Sequence, residues 1–375
     1  MTRRVGFNDG QGRVNYEIAA EALRQGHEVS LFSEHVDSTL AGSERVRVDL
    51  MPAPAWLPTR LPKDQVYAWR TRQHLLAKVG RCDAVLANGF VTWAKADVNA
   101  VHFVHGSWLR SPHHPWRQRR NARSFYRYVY NRLNASLERG AFSRSRKVVA
   151  VSELVRRELV ASGVADSSIV IITNGVDGQE FRPGEPCRAR FGLPDGAVIG
   201  LFAGDLADSR KNLDTVLHAL AHVPALHLAV AGRHEGTRWP ALAARLGVGG
   251  RVHFLGFQRD MPGLMQSVDL FVFPSRYETS SLVLLEALAS GLPVVTARSV
   301  GAAEIVTPEA GMVLEDSEDA AALAAALQTL AGSLDRRRAM GQAGRTLALQ
   351  HSWPAMAARY VALLEAAVEE RRRVA

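Results

Sequence analysis

The sequence predicts an α/β protein made of two Rossmann-like domains in tandem. Short apolar runs of strand length alternate with helical patterns along most of the chain. With 375 residues, it can hold two domains of about 150–200 residues each. The alternation restarts near Ala197, after a proline-bounded stretch from Pro183 to Pro194 that reads as a linker, and the halves share no detectable repeat. The expected domains are therefore residues 1–183 and 195–350. At 47% hydrophobic and 22% charged residues, both can bury a core.

In the first half, Arg4 to Asn8 reads as a strand leading through Asp9-Gly10-Gln11-Gly12 into a helix from Val14 to Arg24. A glycine loop there can bring backbone N–H groups and a helix dipole to a phosphate, although one Gly-x-Gly is a weak signal. Glu28 to Phe32 and Val46 to Leu50 are the next strands, followed by a loop with Pro52, Pro54, Pro58 and Pro62 and a helix from Asp64 to Val79. Ala84 to Ala87 and Val101 to Val104 read as two buried strands, the second ending at His105-Gly106-Ser107. Lys147 to Val151 is a strand, Ser152 caps a short helix, and Ser168 to Ile172 is the last strand of this half.

The second half reads as strands at Ala197 to Ala203, Leu226 to Ala231 and Val252 to Leu255, with helices running to about Val223 and from Pro240 to Leu246. Leu270 to Phe273 is a buried strand closed by Pro274 and Ser275. A polar loop from Arg276 to Ser280, a helix from Leu282 to Ser290 and a strand from Pro293 to Thr296 follow. Helices are expected over Ala320 to Ala331, Asp335 to Gln350 and Ala355 to about Val368.

Only Cys82 and Cys187 are present, and no Cys/His spacing suits a metal, so neither a disulfide scaffold nor structural zinc is expected. The start MTRRVGFNDG lacks the apolar core of a signal peptide, and no apolar run nears the roughly 20 residues that cross a bilayer. The expected location is cytoplasmic. The net charge of +9 concentrates between Arg110 and Lys147, where Glu138 is the only acid among many arginines interleaved with aromatics. Such a face could meet anionic lipid, a phosphorylated acceptor or nucleic acid, or be a solvated helix. No nucleic-acid motif accompanies it.

Glu278 and Glu286 punctuate the stretch from Asp269 to Val306, one in the loop and one in the helix, with seven residues between them. In an open α/β sheet, ligands bind at the carboxyl ends of the strands, and carboxylates there can accept paired sugar hydroxyls. The spacing alone is a weak signal. Its frame is more specific: FPS, then ETSSLVLLEALASGLPVV, then GAAEIV. This segment closely resembles the donor-binding segment of the retaining GT-B glycosyltransferases of family 4. Asn174-Gly175-Val176-Asp177 followed by Phe181 and Pro183 is a second shared feature.

The resemblance implies two Rossmann-like domains facing a cleft, with the C-terminal helix (residues 353–375) crossing back to the first. It implies a nucleotide-diphosphate-sugar donor, a glycan or lipid-linked acceptor and no metal. Arg210 and Lys211, with the amides of Ser280, Ser281 and Leu282, would hold the diphosphate, and Gly12 would face it. Glu286 would hold the ribose, Glu278 the transferred sugar's hydroxyls, and Arg233, Gly256 and Phe257 would border the base. His105, rather than His102, would touch the transferred sugar. The implied mechanism is a front-face transfer in which the departing phosphate takes the acceptor's proton.

Three positions depart from the family pattern. Thr279-Ser280-Ser281 fills a loop that often carries glycine, Asp205 stands where an arginine is common, and the amino-terminal loop has no Gly-Gly pair. Hydroxyls at the first position could bind phosphate, or the Cβ atoms could crowd it. Arg210 could supply the charge missing at Asp205. The sequence leaves UDP-, GDP- and ADP-sugars open as donors. It also leaves open a catalytically silent protein of this fold that binds carbohydrate or membrane.

Overall fold

The computed structural model describes residues 1–7, 10–77 and 82–374. They form two compact units, Met1–Gly175 with Trp353–Ala375, and Val176–Ser352.

The first unit runs β1 (Arg4–Val5), α1 (Gly10–Arg24), β2 (Val29–Ser33), β3 (His35–Val36), α2 (Ser38–Ala41), β4 (Val46–Leu50), α3 (Arg60–Ala77), β5 (Leu86–Asn88) and β6 (Val98–Val101). It continues with α4 (His105–Arg110), α5 (Pro115–Gln118), α6 (Ala122–Arg144), β7 (Lys147–Ala150), α7 (Glu153–Ala161) and β8 (Ile169–Ile171). Pairing among the described strands is parallel: β1 with β3, β2 with β4, and a sheet in the order β5-β6-β7-β8. The C-terminal helix (Trp353–Val374) packs along α1, as the resemblance implied. Trp353, Met356, Ala357, Tyr360, Val361 and Ala367 form its buried stripe at helical spacing.

Several expectations move. The first strand spans only Arg4–Val5, and Asn8 and Asp9 lie outside the described residues. Because α1 begins at Gly10, Gly12 sits in its first turn rather than in a loop, and its carbonyl accepts from the Gly6 amide at 3.0 Å. The strand expected at Val101 to Val104 lies at Val98–Val101. Asn99 hid it, a polar residue inside a buried run. Its side chain satisfies both backbone groups of Gly89, accepting from the amide at 2.9 Å and donating to the carbonyl at 3.2 Å. In α3, Pro62 falls in the first turn, where its missing N–H costs nothing. The expected end of that helix at Lys78 and Val79 lies outside the described residues.

The second unit runs β9 (Val198–Ala203), α8 (Leu213–Ala221), β10 (Leu226–Ala231), α9 (Trp239–Arg245), β11 (Val252–Gly256), α10 (Met261–Gln266) and β12 (Leu270–Phe273). Then come α11 (Leu282–Ala289), β13 (Val294–Ala297), β14 (Gly311–Leu314), α12 (Ala320–Ala331) and α13 (Leu334–Ala348). One parallel sheet takes the order β11-β10-β9-β12-β13-β14. Numbered within the unit this is 3-2-1-4-5-6, the doubly wound dinucleotide-fold order. Every residue of β12 and β13 is buried, as a central strand covered by helices on both faces requires. Neither β14 nor α10 was read from the sequence: α10 is six residues opening Met-Pro-Gly, too short to show a period, and β14 opens on Gly311.

Residues 176–194 also differ from the expectation. Val176, Phe181 and Leu193 sit in the core of the second unit. Arg188 donates to the carbonyls of Ser267 (3.2 Å), Pro194 (3.3 Å) and Ala197 (2.8 Å) and pairs with Asp269 at 2.7 Å. The proline-bounded stretch is therefore packed structure of the second unit. Among the described residues, no helix is long and apolar enough to cross a membrane.

Candidate functional site

In the second unit the strand order reverses between β9 and β12, which is where a crevice opens at the carboxyl ends of such a sheet. The loops leaving these two strands carry Arg210, Lys211 and Glu278. After β9 the chain makes a short 3-10 turn over Ser209–Lys211, capped by the Asp208 side chain, which accepts from the Arg210 amide. Asn212 ends the turn in the left-handed conformation, fully buried. Its side-chain amide donates to the carbonyls of Pro274 (2.8 Å) and Ser317 (2.6 Å), and its oxygen accepts from Thr215 at 2.7 Å.

The loop after β12 is sewn to that turn. The Arg276 amide and the Ser275 hydroxyl both donate to the Arg210 carbonyl, at 2.8 and 2.9 Å. The Arg276 guanidinium grips Asp214 with two bonds of 3.0 Å, and reaches the Ser209 carbonyl at 2.7 Å and Glu318 at 2.9 Å. Burial opposes the charge on Arg276, but the hydrogen bonds and charges of Asp214 and Glu318 outweigh it and raise its pKa above the ordinary value. Sequence reasoning gave Arg276 no part. Its partner Asp214 is 62 positions away, so no local signal marks the pair.

This frame fixes the two charged groups. Lys211 forms an ion pair with Glu278, each side chain about one-sixth exposed, and its ammonium lies 5.1 Å from the centre of the Phe273 ring. Glu278 is held on the other side by its backbone, which donates to Ser299 at 3.0 Å and accepts from Gly301 at 2.7 Å. The Arg210 guanidinium leans on Asp208 at 3.1 Å. Thus Lys211 and Glu278, both sequence-predicted, are paired on the loops at the reversal point, and Arg210 on the same turn is held by Asp208.

Ser280, Ser281 and Leu282 lead into α11, whose first N–H groups have no partner within the helix. Ser281 caps that end, accepting from the Leu284 amide at 3.3 Å. Its backbone stands at φ +129°, a region that favours glycine, and so stores strain. Replacing Ser281 with glycine should remove about 1–3 kcal/mol of strain at the expense of a few tenths for the cap and about 0.4–1 kcal/mol of chain entropy. The net gain of about 1 kcal/mol predicts a melting temperature higher by about 2–4 °C, and a lower one would show the strain to be absent. Glu286 is half-buried in α11, just over one turn from its start.

Arg233, Gly256 and Phe257 form a second cluster at the carboxyl ends of β10 and β11. The Gly232 amide donates to the Gly256 carbonyl at 2.8 Å, which ties these strand ends together. Phe257 is 65% exposed, with the Arg233 guanidinium 5.7 Å from its ring centre. The pair offers a flat aromatic face and a cation on the same sheet edge as the Lys211–Glu278 pair. Among the described residues, no three His, Cys, Asp or Glu side chains converge as metal ligands.

In the first unit, His105 opens α4 instead of ending a strand. Glu138 on α6, itself 4% exposed, accepts from the His105 amide at 3.1 Å and contacts Nδ1 at 2.5 Å. The one acid of the basic stretch is therefore committed to orienting His105 and capping its helix. Rings of Phe103 and Tyr130 flank the imidazole at 5.0 and 5.8 Å. Gly12 lies in the first turn of α1 in the same unit.

Residues 8–180 match the family model described as Glycosyltransferase Family 4, and residues 197–333 match that described as Glycosyl transferases group 1. The lipopolysaccharide core biosynthesis glycosyltransferase LpsE of Rhizobium meliloti is 32% identical over 179 residues, 47% of this chain and 52% of that protein. A D-inositol 3-phosphate glycosyltransferase of Segniliparus rotundus is 32% identical over 240 residues, 60% of this chain and 53% of that protein. The chain thus spans about half the length of the curated relatives it matches. The crystal structure of WaaG, a glycosyltransferase involved in lipopolysaccharide biosynthesis, superposes with a TM-score of 0.75 at 20% identity, covering 97% of this chain and 99% of that one. Matches to both halves, on this sheet order and with these loops, assign the chain to the family 4 glycosyltransferases of GT-B fold.

Proposed function

We propose that the chain transfers a sugar from a nucleotide-diphosphate donor to a glycan or lipid-linked glycan, with retention of configuration and no metal requirement. The observation that carries this reading is the pinned Lys211–Glu278 pair, with Arg210 beside it, at the reversal point of a dinucleotide-fold sheet. Loss of a nucleoside diphosphate leaves charge on the phosphates. Fixed cations and the amides of Ser280, Ser281 and Leu282 meet that charge without reorganising. In this reading Glu278 takes the sugar's hydroxyls, Glu286 the ribose hydroxyls, and Arg233, Gly256 and Phe257 the base. His105 and Gly12 are the first unit's contributions, to the transferred sugar and the diphosphate. The departing phosphate accepts the acceptor's proton, so no protein nucleophile takes part.

The relatives' names point to lipopolysaccharide core biosynthesis and to D-inositol 3-phosphate, and we read the acceptor here as a cell-envelope glycan. The arginine-rich face from Arg110 to Lys147, with Phe125 and Tyr126 exposed, suits peripheral contact with an anionic membrane from the cytoplasmic side. A second reading, a silent carbohydrate- or membrane-binding protein, is favoured by the strained Ser281 and the buried Thr279 in the donor loop.

A melting panel of UDP-, GDP- and ADP-sugars in EDTA, on wild type and Glu286→Ala, separates these readings. A donor at 100 times its Kd should add about 2.7 kcal/mol of stability. One nucleotide class stabilising wild type but not the variant supports the donor pocket and names the base. No shift with any donor overturns the reading. A shift without release of the nucleoside diphosphate leaves the silent alternative.

A further inference from the structure

The first unit carries a feature that the transfer site does not use. Trp69 and Arg72 on α3 and Trp93 on the loop after β5 line one open pocket. The two tryptophans are 55% and 38% exposed, in a unit where most other aromatic side chains are at least partly buried. The Arg72 guanidinium has no ion pair among the described residues.

The two walls are built to stay in place. The Trp93 amide donates to the Ala68 carbonyl at 3.4 Å, one residue from Trp69. The hydroxyl of Thr71, fully buried, donates to the Val91 carbonyl at 2.8 Å, two residues from Trp93. Phe90 packs edge-on against the Trp93 ring at 5.0 Å, and is itself buried against Ala68 and Ala141. Leaving two indoles in water forgoes their large burial energy, and fixing the backbones that carry them, together with the Trp93 ring, lowers the ordering cost of binding.

We infer that Trp69, Arg72 and Trp93 form a carbohydrate subsite for a pyranose ring bearing an anionic group. The apolar C–H face of a pyranose matches an indole, and the guanidinium matches a phosphate or carboxylate in bidentate fashion. An open site whose lining holds a single cation fits one anionic sugar unit better than a lipid surface, which is met by clusters of several basic side chains. The inference deepens the glycan-transfer reading by adding a place where a sugar of the glycan is held.

The test follows the indole N–H signals of the 15N-tryptophan-labelled 375-residue chain during titration with glucose 6-phosphate, glucose and inorganic phosphate. Shifts of Trp69 and Trp93 with glucose 6-phosphate, weaker ones with glucose and none with phosphate are expected. Trp69→Ala or Trp93→Ala should weaken binding at least about tenfold. Arg72→Gln should bring glucose 6-phosphate down to the affinity of glucose. Equal shifts with phosphate alone, or shifts only with phosphatidylglycerol vesicles, overturn the proposal. Donor-induced melting shifts, unchanged in Trp69→Ala, distinguish its failure from failure of the transfer reading: donor binding without indole shifts removes the subsite only. Indole shifts without donor binding remove the transfer reading only.

Discussion

Glu278→Gln should slow nucleoside diphosphate release from the donor by about 10²–10³-fold, a loss of about 2.7–4 kcal/mol in the transition state. The carboxylate has two tasks in the proposed reaction, accepting sugar hydroxyls and holding Lys211 where the departing phosphate forms. Glutamine keeps the shape but loses the charge, leaving the ammonium to drift. The fall should lie in kcat, with KM for the donor within about threefold, because the ground state keeps its remaining contacts. Lys211→Met should cost as much, and the double variant little more than the worse single one, since the two side chains act as a unit. Additive losses would show that the ion pair is structural and that the groups serve separate steps.

Gly232→Ala is expected to destabilise the second unit by about 3 kcal/mol or more, lowering its melting temperature by about 6–12 °C. Gly232 adopts φ +148°, and a Cβ there would lie 2.2 Å from the Gly204 carbonyl and 2.9 Å from Leu206. The obstruction is backbone, at the strand ends that present the Arg210–Lys211 turn and the Arg233–Phe257 cluster. The Leu206 side chain can turn aside, but the Gly204 carbonyl cannot. Gly236→Ala is the matched control, because Gly236 also has positive φ but faces open space. It should cost only about 1–2 kcal/mol. Equal losses in the two variants would attribute the effect to φ alone and deny the close approach.

Local sequence information went a long way toward the fold and stopped short of the site's construction. Leu270–Phe273 is a continuous apolar run and Leu226–Ala231 is interrupted only by His227, so both could be read directly. In the first unit a buried Asn99 and a two-residue β1 broke the same signal, because what satisfies them is tertiary. The charged groups of the site were legible through the motif frame. That Lys211 meets Glu278, 67 positions away, was not, nor was the clamp of Arg276 on Asp214 that makes the meeting rigid. Glu138 shows the same limit. As sequence it is a stray acid in a basic helix; in the fold it is the buried partner of His105.

The isolated bridge between Val176 and Ser352 sets the first and last residues of the second unit side by side. In chain terms that unit is a cassette inserted into the first, which is left in two pieces. Ends one strand spacing apart, about 5 Å, allow a short linker to close the cassette or to rejoin the host without it. The second unit is therefore suited to circular permutation and to exchange between homologues, with Val176 and Ser352 as the cut points. The first unit depends on its distant C-terminal helix, and a truncation before Trp353 would strip α1 of its cover while leaving the donor-side sheet whole.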